Sequence, residues 1–262
     1  ILVIFDLQHV NQPGNFTRFH LFFLRTIIYL SAITSDDIIT ISDQTKKDII
    51  KYYRKRPDKI TVVYLAVNHE VFSPRSSEDI KAIRTRYKLP DRYLLYAATL
   101  LPHKNHARLL QAFKKIVTEL PGTKLVLTGA WDTGRDTIAG LISALDLQKD
   151  VIMLGWIPFE DIPSLYRGAD LFIYPSLHEG FGLPVLEAMA SGIPVVCSRI
   201  EPLIEVAGDA AFFIDPYDPS DISRAILAAL KNTILRRDLI RTGLERAREF
   251  TWDKTARETL LF

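Results

Sequence analysis

Residues 170–188 read Asp-Leu-Phe-Ile-Tyr-Pro-Ser-Leu-His-Glu-Gly-Phe-Gly-Leu-Pro-Val-Leu-Glu-Ala, and this stretch decides the fold. Its opening, residues 170–175, is a short apolar run that ends in proline, a pattern typical of a buried strand. A Gly-x-Gly turn follows, and Pro184 suits the first position of a helix. The order strand, glycine turn, helix aims free backbone N–H groups and a helix dipole at one point, where an anion such as a diphosphate is stabilised.

Two carboxylates belong to this turn and helix. Glu179 lies on the turn and Glu187 one turn into the predicted helix, so both can face the anion-binding point. A carboxylate there suits sugar hydroxyls, as the acidic residue on a dinucleotide ribose does. Taken alone, a glycine turn is common in α/β proteins, and Glu187 is typical of a solvated first-turn carboxylate. Their combination predicts a nucleotide-sugar site.

From about Pro90 the chain alternates between short apolar strands and helices. This alternation indicates a parallel, doubly wound α/β sheet, in which ligands bind at the carboxyl ends of the strands. The two glutamates, Thr99–Lys104 and Gly155–Ile157 all follow strands, which predicts one shared crevice. The predicted strands are Tyr93–Ala97, Lys124–Thr128, Val151–Leu154, Leu171–Tyr174, Pro194–Cys197 and Ala211–Ile214, with helices that include His106–Glu119 and Thr137–Leu145.

The sequence pattern before Pro74 predicts two helices of different character. Phe19–Ile33 is strongly apolar, but it is shorter than the ~20 residues that span a bilayer, and Arg25 interrupts it. A buried core helix is the favoured interpretation, and a helix at a membrane surface is the alternative. Ser42-Asp43 caps the second helix, Gln44–Tyr53, whose basic residues indicate a solvated face or a contact with an anionic acceptor or lipid. The predicted strands here are Ile1–Phe5, Asp37–Ser42 and Lys59–Tyr64.

The composition of the chain limits the classes of function that it can have. The chain has 262 residues with 48% hydrophobic and 24% charged side chains, which is ordinary for a globular protein. A formal net charge of +2 is too small to argue for a nucleic-acid partner. The single cysteine, Cys197, excludes an internal disulfide and lies in an apolar run, so we expect an inert core thiol. We expect a cytoplasmic protein, with peripheral contact at the inner face of the membrane as the alternative.

Four segments together resemble the group 1, or family 4, retaining glycosyltransferases. The most specific is Tyr174–Val196, which carries both glutamates and the glycine turn. The others are Ala97–Asn105, Leu154–Ile157 and Phe250–Trp252. Members of this family have the GT-B fold of two Rossmann-like domains, so the resemblance implies that fold here.

The resemblance also implies a domain division. Residues 1–75 would be a partial N-terminal, acceptor-side Rossmann-like domain, and residues 76–248 a complete C-terminal nucleotide-sugar domain. Residues 249–262 would form a helix that crosses back toward the first domain. Because Ile1 opens what reads as a strand, and family members are longer, most of the first domain is expected to be missing.

The resemblance assigns roles on the donor side of the crevice. Lys104 would meet the departing diphosphate, where negative charge grows in the transition state. Thr99 stands where many relatives carry an arginine directed at phosphate, so more charge would fall on Lys104 and the turn amides. Glu187 would accept the ribose hydroxyls, and Glu179 would lie by the donor sugar. The predicted donor-binding residues are Glu187, Gly180, Phe181, Gly182, Leu183, Thr99, Gly155 and Trp156.

Two positions near these groups leave alternatives open. Gly155 and Trp156 would frame the nucleobase through backbone groups, although a Trp156 packed in the core is an equal alternative. His178 adjoins Glu179 and would orient it, or is a plain loop histidine. No Asp-x-Asp pair follows a strand, so we expect neither a bound metal nor a cofactor.

The acceptor side departs from the family pattern. Family members often carry His-Asp after the first strand seen here, with the histidine close to the reacting sugar. This chain has Phe5-Asp6, so the expected histidine is replaced by a side chain that cannot hold a proton. Asp6 or His9 would supply hydrogen bonds instead, and the predicted catalytic residues are Glu179, Lys104 and Asp6.

The predicted function is transfer of a sugar from a UDP- or GDP-linked donor to a hydroxyl acceptor, with retention of configuration. The acceptor would be a glycan or a lipid-linked molecule, as in polysaccharide biosynthesis. Two alternatives belong to other classes: a nucleotide-sugar-binding module without transferase activity, and an epimerase on the same fold.

Overall fold

Two parallel β-sheets are built from the short apolar runs of the sequence. The computed structural model describes residues 1–74, 77–131 and 134–262. Its strands, in chain order, are β1 (Leu2–Ile4), β2 (Ile38–Thr40), β3 (Ile60–Val62), β4 (Leu94–Ala97), β5 (Leu125–Thr128), β6 (Val151–Gly155), β7 (Leu171–Tyr174), β8 (Val195–Ser198) and β9 (Phe212–Ile214). The smaller sheet has the order β1-β2-β3 and the larger sheet the order β6-β5-β4-β7-β8-β9.

Helices separate the strands, as a parallel sheet requires. We call the smaller sheet with its first three helices the first lobe, and the larger sheet with α4–α11 the second lobe. The helices are α1 (Gln8–Asn11), α2 (Arg18–Thr34), α3 (Asp43–Tyr53), α4 (Ser77–Tyr87), α5 (His106–Glu119), α6 (Arg135–Ala144), α7 (Ile162–Arg167), α8 (Leu183–Ala190), α9 (Glu201–Ala207), α10 (Pro219–Lys231), α11 (Thr233–Ala247) and α12 (Trp252–Leu260).

The strand order of the larger sheet determines where a binding crevice lies. That order is the one of doubly wound dinucleotide-binding sheets, and it reverses between β4 and β7. Loops at the carboxyl ends of these two neighbouring strands diverge and leave an opening. The loop after β4 carries Thr99–Lys104, and the loop after β7 carries the glutamate turn. The predicted α/β class and the predicted crevice position agree with this topology.

Burial explains why the sequences of the strands are continuous apolar runs. Every residue of β5, β7 and β8 is buried, because helices cover both faces of the sheet. One large cluster forms the core of the second lobe, and a small one around Ile38 and Ile49 forms the core of the first. Cys197 is fully buried in β8, and burial raises the pKa of its thiol, as expected for an inert core cysteine.

Helix α2 contradicts the prediction of a buried core helix. Its bounds agree closely with the apolar segment, yet Phe19 is 82% and Phe22 is 71% exposed. Ala32 is the one residue of this fully described helix that the structure buries. The first lobe offers too few strands to cover the apolar face. None of the described helices is both long enough and apolar enough to cross a membrane.

The predicted N-terminal cap of α3 agrees with the structure. Ser42 caps α3, because its hydroxyl accepts a hydrogen bond from the Thr45 N–H at 3.1 Å. The last helix, α12, reaches back to the segment after β3, where the Thr255 hydroxyl donates to the Tyr64 carbonyl at 2.8 Å. The predicted domain boundary at 75 and 76 falls outside the described residues.

Candidate functional site

The structure brings Lys104 and Glu179 into direct contact at the switch point. The Lys104 ammonium donates to the Glu179 carboxylate, with Nζ 2.6 Å from Oε1. Both side chains are largely buried, at 14% and 10% exposure. The ammonium also donates to the Tyr174 hydroxyl at 3.2 Å and lies 5.4 Å from the centre of that ring. Two of the three predicted catalytic groups therefore form an ion pair and neutralise each other's charge.

The backbone that carries Lys104 is held on several sides. Pro102–Lys104 form a 3-10 turn, and the Tyr96 hydroxyl donates to the Lys104 carbonyl. Asn105 follows in the left-handed conformation, with φ of 64°. Its side-chain amide donates to the Pro175 carbonyl at 3.0 Å and to the Pro216 carbonyl at 2.7 Å. Asn105 thus ties the lysine turn to the glutamate loop, a role that its type alone does not reveal.

Glycine is required at two points of the glutamate turn, for two different reasons. Gly182 precedes α8 with φ of 117°, and a Cβ there would lie 2.5 Å from Leu203 Cδ2. Gly180 lets the first lobe approach, because a Cβ there would lie 3.0 Å from the Phe5 carbonyl oxygen and from Asp6 Cβ. The turn is therefore one of the places where the two lobes meet.

The start of α8 presents free donors. Among the described residues, the N–H groups of Gly182 and Leu183 have no hydrogen-bond partner. Pro184 sits in the first turn, where its missing N–H costs nothing. Phe181 is buried against Tyr64 and Phe250, with ring centroids 6.0 Å apart in both pairs. Its ring is thus part of the core, and any contact of Phe181 with a donor would come from its main chain.

Replacing Gly182 with alanine should lower the free energy of unfolding by about 2 kcal/mol, since the new methyl group meets Leu203 and the left-handed backbone disfavours a side chain. Urea unfolding measures the change. Gly140→Ala is the matched control, because this helical glycine has open space around it and alanine favours helix. Equal stability of the two variants would contradict the assignment of strain at Gly182.

Glu187 occupies a half-buried site on α8. Its carboxylate accepts a hydrogen bond from the Tyr166 hydroxyl at 3.1 Å. Burial raises the pKa of Glu187 to about 7, although the Tyr166 hydrogen bond acts in the opposite direction. Tyr166 is fully buried beneath it. The carboxyl group is therefore held in a fixed position at the cost of its own ionisation, an arrangement found at ligand sites.

The end of the crevice beside β5 and β6 is aromatic, with Trp131 and Trp156 on its wall. A cavity of about 360 Å³ lies at the ends of β5 and β6. Trp156 is 70% exposed there, which excludes the core-packing alternative. The Gly155 carbonyl accepts hydrogen bonds from the Gly129 N–H at 2.9 Å and the Thr128 hydroxyl at 2.7 Å, so this strand end is fixed. Thr99 lies beside Gly129 at the end of β4, half-buried.

The residues predicted to lie on the acceptor side separate into two groups. Asp6 lies against Gly180, and its carboxylate accepts a hydrogen bond from the Gln8 N–H at 3.0 Å. Phe5 is 58% exposed, so its ring does not fill the crevice. His9 is buried in the first lobe, where its Nε2 lies 2.9 Å from the Tyr53 hydroxyl. Asp6 thus remains at the crevice, whereas His9 does not reach it.

His103 links the two lobes. It is buried, and its Nδ1 accepts a hydrogen bond from the Asn15 side-chain amide at 2.9 Å. Burial, assisted by the nearby Lys104 charge, lowers the pKa of His103 to about 4. The ring is therefore neutral at physiological pH and acts as an acceptor. His178 makes no hydrogen bond to Glu179 in the described structure, so the predicted orienting role is not visible there.

Comparison with known proteins adds independent findings. The family model described as Glycosyl transferases group 1 matches residues 78–246. O-antigen chain mannosyltransferase B of Escherichia coli is 36% identical over 225 residues, which cover 85% of this chain and 59% of that relative. Serotype-specific mannosyltransferase WbdA of Escherichia coli is 30% identical over 227 residues, which cover 85% of this chain and 28% of that relative. The chain thus spans only part of the length of these curated relatives.

Solved structures resemble the fold. HepE of Anabaena, in complex with UDP and glucose, matches with a TM-score of 0.86 and 20% identity, over 99% of this chain and 70% of that chain. Sucrose-phosphate synthase of Thermosynechococcus elongatus matches with a TM-score of 0.77 and 24% identity, over 90% of this chain and 60% of that chain. These likenesses confirm the predicted GT-B fold.

Proposed function

The chain belongs to the group 1 glycosyltransferase family, and from this membership we propose that it transfers a sugar from a nucleoside diphosphate to a hydroxyl acceptor. The observation that carries the proposal is the Lys104–Glu179 pair beside the free N–H groups of α8, at the switch point of the larger sheet. A cation and a helix N-terminus suit a diphosphate, and the adjacent carboxylate suits sugar hydroxyls.

The proposed step breaks the bond between the anomeric carbon and the diphosphate oxygen. A new bond forms between that carbon and the acceptor oxygen, and the hydroxyl proton passes to the departing diphosphate. Lys104 and the amides of Gly182 and Leu183 would stabilise the charge that grows on the diphosphate. Glu179 would exchange its contact with Lys104 for the donor sugar hydroxyls, and Asp6 would hydrogen-bond on the acceptor side.

We propose retention of configuration, with the acceptor attacking from the face that the diphosphate leaves. The proton then needs no separate base, which fits a crevice in which His103 is neutral and already engaged with Asn15. Glu179 and Glu187 differ from the carboxylate pair of a hydrolase, because such a pair flanks the scissile bond. Here Glu187 would bind the ribose hydroxyls, away from the reacting carbon.

The donor is proposed to be a UDP- or GDP-linked hexose that binds without a metal ion or cofactor. Lys104, beside Glu179 at the switch point, would supply the cation that the diphosphate needs. The base would lie in the aromatic cavity beside Trp156. Two relatives are named mannosyltransferases, so a mannose donor is tested first. A glycan or lipid-linked acceptor is consistent with the O-antigen chain in the name of one of them.

We also propose that the protein acts in the cytoplasm, with α2 as the element of any peripheral membrane contact. Its exposed Phe19, Phe22 and Phe23 form an apolar surface, and the exposed Arg18 and Arg25 add positive charge suited to anionic lipid. Because α2 is not a buried core helix, a helix at a membrane surface is the interpretation that we keep.

The proposed transfer is tested by incubating the chain with GDP-mannose, UDP-glucose and UDP-N-acetylglucosamine, each with a panel of methyl glycosides. We expect release of nucleoside diphosphate that depends on the acceptor and is unchanged by EDTA. Binding of a nucleotide without any release would favour the alternative, a nucleotide-sugar-binding module. Interconversion of the free donor sugars without an acceptor would favour an epimerase. Inversion at the anomeric carbon of the product, seen by NMR, would contradict retention.

A further inference from the structure

Helix α3 of the first lobe begins against the second lobe. The Ser42 side chain caps this helix by accepting the Thr45 N–H. The first two N–H groups of the helix, those of Asp43 and Gln44, point out of its end and need a partner from elsewhere. The Glu205 carboxylate of α9 is such a partner, because its Oε1 accepts from the Asp43 N–H at 2.7 Å. A side chain of the second lobe thus completes the cap of a helix in the first lobe.

Glu205 lies where its own helix disfavours a carboxylate. It is in the last turn of α9, at the negative end of the helix dipole. The Arg246 guanidinium satisfies that helix end, since it donates to the Glu205 carbonyl at 2.7 Å and to the Val206 carbonyl at 3.0 Å. Burial raises the pKa of Glu205, and the hydrogen bonds that its carboxylate receives from α3 act in the opposite direction. The contacts that favour this carboxylate therefore come from outside α9.

Tyr64 joins the Glu205 carboxylate to the glutamate turn. The centroid of its ring lies 6.0 Å from that of Phe181, the middle residue of the Gly-Phe-Gly turn, and 5.9 Å from that of Phe250. Burial raises the pKa of the Tyr64 hydroxyl, and hydrogen bonding to Glu205 raises it further. One carboxylate thus contacts α3 and, through Tyr64, the turn that carries Glu179.

The two lobes approach each other closely at this turn. A Cβ on Gly180 would lie 3.0 Å from the Phe5 carbonyl oxygen and from Asp6 Cβ, so the two backbones fit without spare room. Asp6, the proposed hydrogen-bonding group on the acceptor side, is therefore placed by the position of the first lobe. A displacement of about 1 Å from a reactive geometry can lower a rate about a hundredfold. Contacts that fix the first lobe thus bear on the proposed reaction.

We propose that Glu205 is a positioning residue for the transfer. By capping α3, it fixes the first lobe, and Asp6 with it, against the glutamate turn. The carboxylate itself does not touch the reacting groups, and it acts through α3 and Tyr64. The inference rests on the proposed function, because turnover is the measure of how well Asp6 is placed.

Two other contacts between the lobes set the scale of the expected effect. Lys47 and Glu201 also join α3 to α9, at 3.6 Å, but their side chains are 63% and 64% exposed, so this pair contributes little. The Asn15 amide donates to His103 at 2.9 Å, and this hydrogen bond does not involve α9. Loss of the Glu205 cap should therefore loosen the first lobe without releasing it.

The position of the first lobe can be measured without substrate. Pulsed EPR reads the distance between spin labels on Lys51→Cys of α3 and Asp238→Cys of α11, two exposed positions. Cys197 is fully buried and stays unlabelled. We expect a narrow distance distribution for the chain with Glu205, and a broader one with a longer mean for Glu205→Ala. Glu205→Gln should restore the narrow distribution, because its amide oxygen can accept the N–H at the start of α3. Glu201→Ala, on the same helix, is the matched control and should leave the distribution unchanged.

Turnover distinguishes a positioning role from a merely structural one. Glu205→Ala should lower the turnover number about tenfold, and Glu205→Gln should recover most of it. The dissociation constant for UDP or GDP, measured by calorimetry, should stay unchanged, because the proposed nucleotide contacts all belong to the second lobe. Tyr64→Phe keeps the ring against Phe181 and removes the hydroxyl, so it should change distance and turnover in the same direction by less. It also provides the test if Glu205→Ala does not fold.

Unchanged distance distributions in the folded variants of Glu205 and Tyr64 would overturn the inference, as would equal broadening in Glu201→Ala. A broader distribution with unchanged turnover would overturn the positioning role. An unmodified chain that releases no nucleoside diphosphate with any donor would instead refute the proposed function, since the distances between spin labels are read separately.

Discussion

Replacing Lys104 with methionine is expected to lower the turnover number by about two to three orders of magnitude, the usual effect of losing one group that stabilises a developing anion. Methionine keeps the length and packing of the side chain and removes the charge. The Michaelis constant for the donor should change less, because the negative charge on the leaving diphosphate is greatest in the transition state. Steady-state release of nucleoside diphosphate measures both parameters.

Lys104→Met also breaks the buried ion pair, and a double variant separates this effect on stability from the effect on turnover. Without Lys104, the Glu179 carboxylate is left buried beside Tyr174 without its cation, which destabilises the fold by about 3 kcal/mol. The double variant Lys104→Met with Glu179→Gln removes both charges, so it should recover most of that free energy of unfolding. Turnover should stay low in the double variant. Recovery of turnover together with stability would show that Lys104 serves the fold and not the leaving group.

The elements of the second lobe could be predicted because local signals agree with the tertiary structure. The apolar runs at Leu171–Tyr174 and His106–Glu119 appear as a strand and a helix with the predicted bounds. The alternation of strand and helix then fixes which loops share an edge of the sheet. The order of the elements along the chain is therefore sufficient to predict the position of the crevice.

Contacts between distant side chains could not be predicted in the same way. Lys104 and Glu179 meet across 75 positions of sequence, and nothing local distinguishes that pairing from two separate phosphate and sugar contacts. His9 follows Asp6 closely in sequence but turns into the first lobe toward Tyr53. Helix α2 has the composition of a core helix, and its burial depends on how much sheet surrounds it.

Replacing Glu187 with glutamine should have two opposite effects, weaker nucleotide binding and a more stable fold at pH 8. Glutamine can still accept the Tyr166 hydrogen bond. It loses the charge that would strengthen hydrogen bonds from the ribose hydroxyls, so the dissociation constant for UDP or GDP should rise about tenfold to a hundredfold. Calorimetry measures this change. Glu245→Gln, on the exposed face of α11, is the matched control and should leave affinity unaltered.

The stability effect follows from the direction of the pKa shift. The pKa of Glu187 is about 7 in the folded chain and near its ordinary 4.5 when unfolded, so the folded state binds the proton more tightly. The free energy of unfolding therefore falls as pH rises above about 4.5, and the whole penalty is present above about 7. Glutamine removes a penalty of about 1 to 3 kcal/mol at this half-buried site. Urea midpoints of the variant and the unmodified chain should thus coincide at pH 4.5 and diverge by pH 8.

A variant that is less stable at pH 8 would contradict the burial penalty, and one with unchanged nucleotide affinity would refute the ribose contact. Both effects together would show a carboxylate that the fold holds in place at the expense of stability, because its position serves the donor.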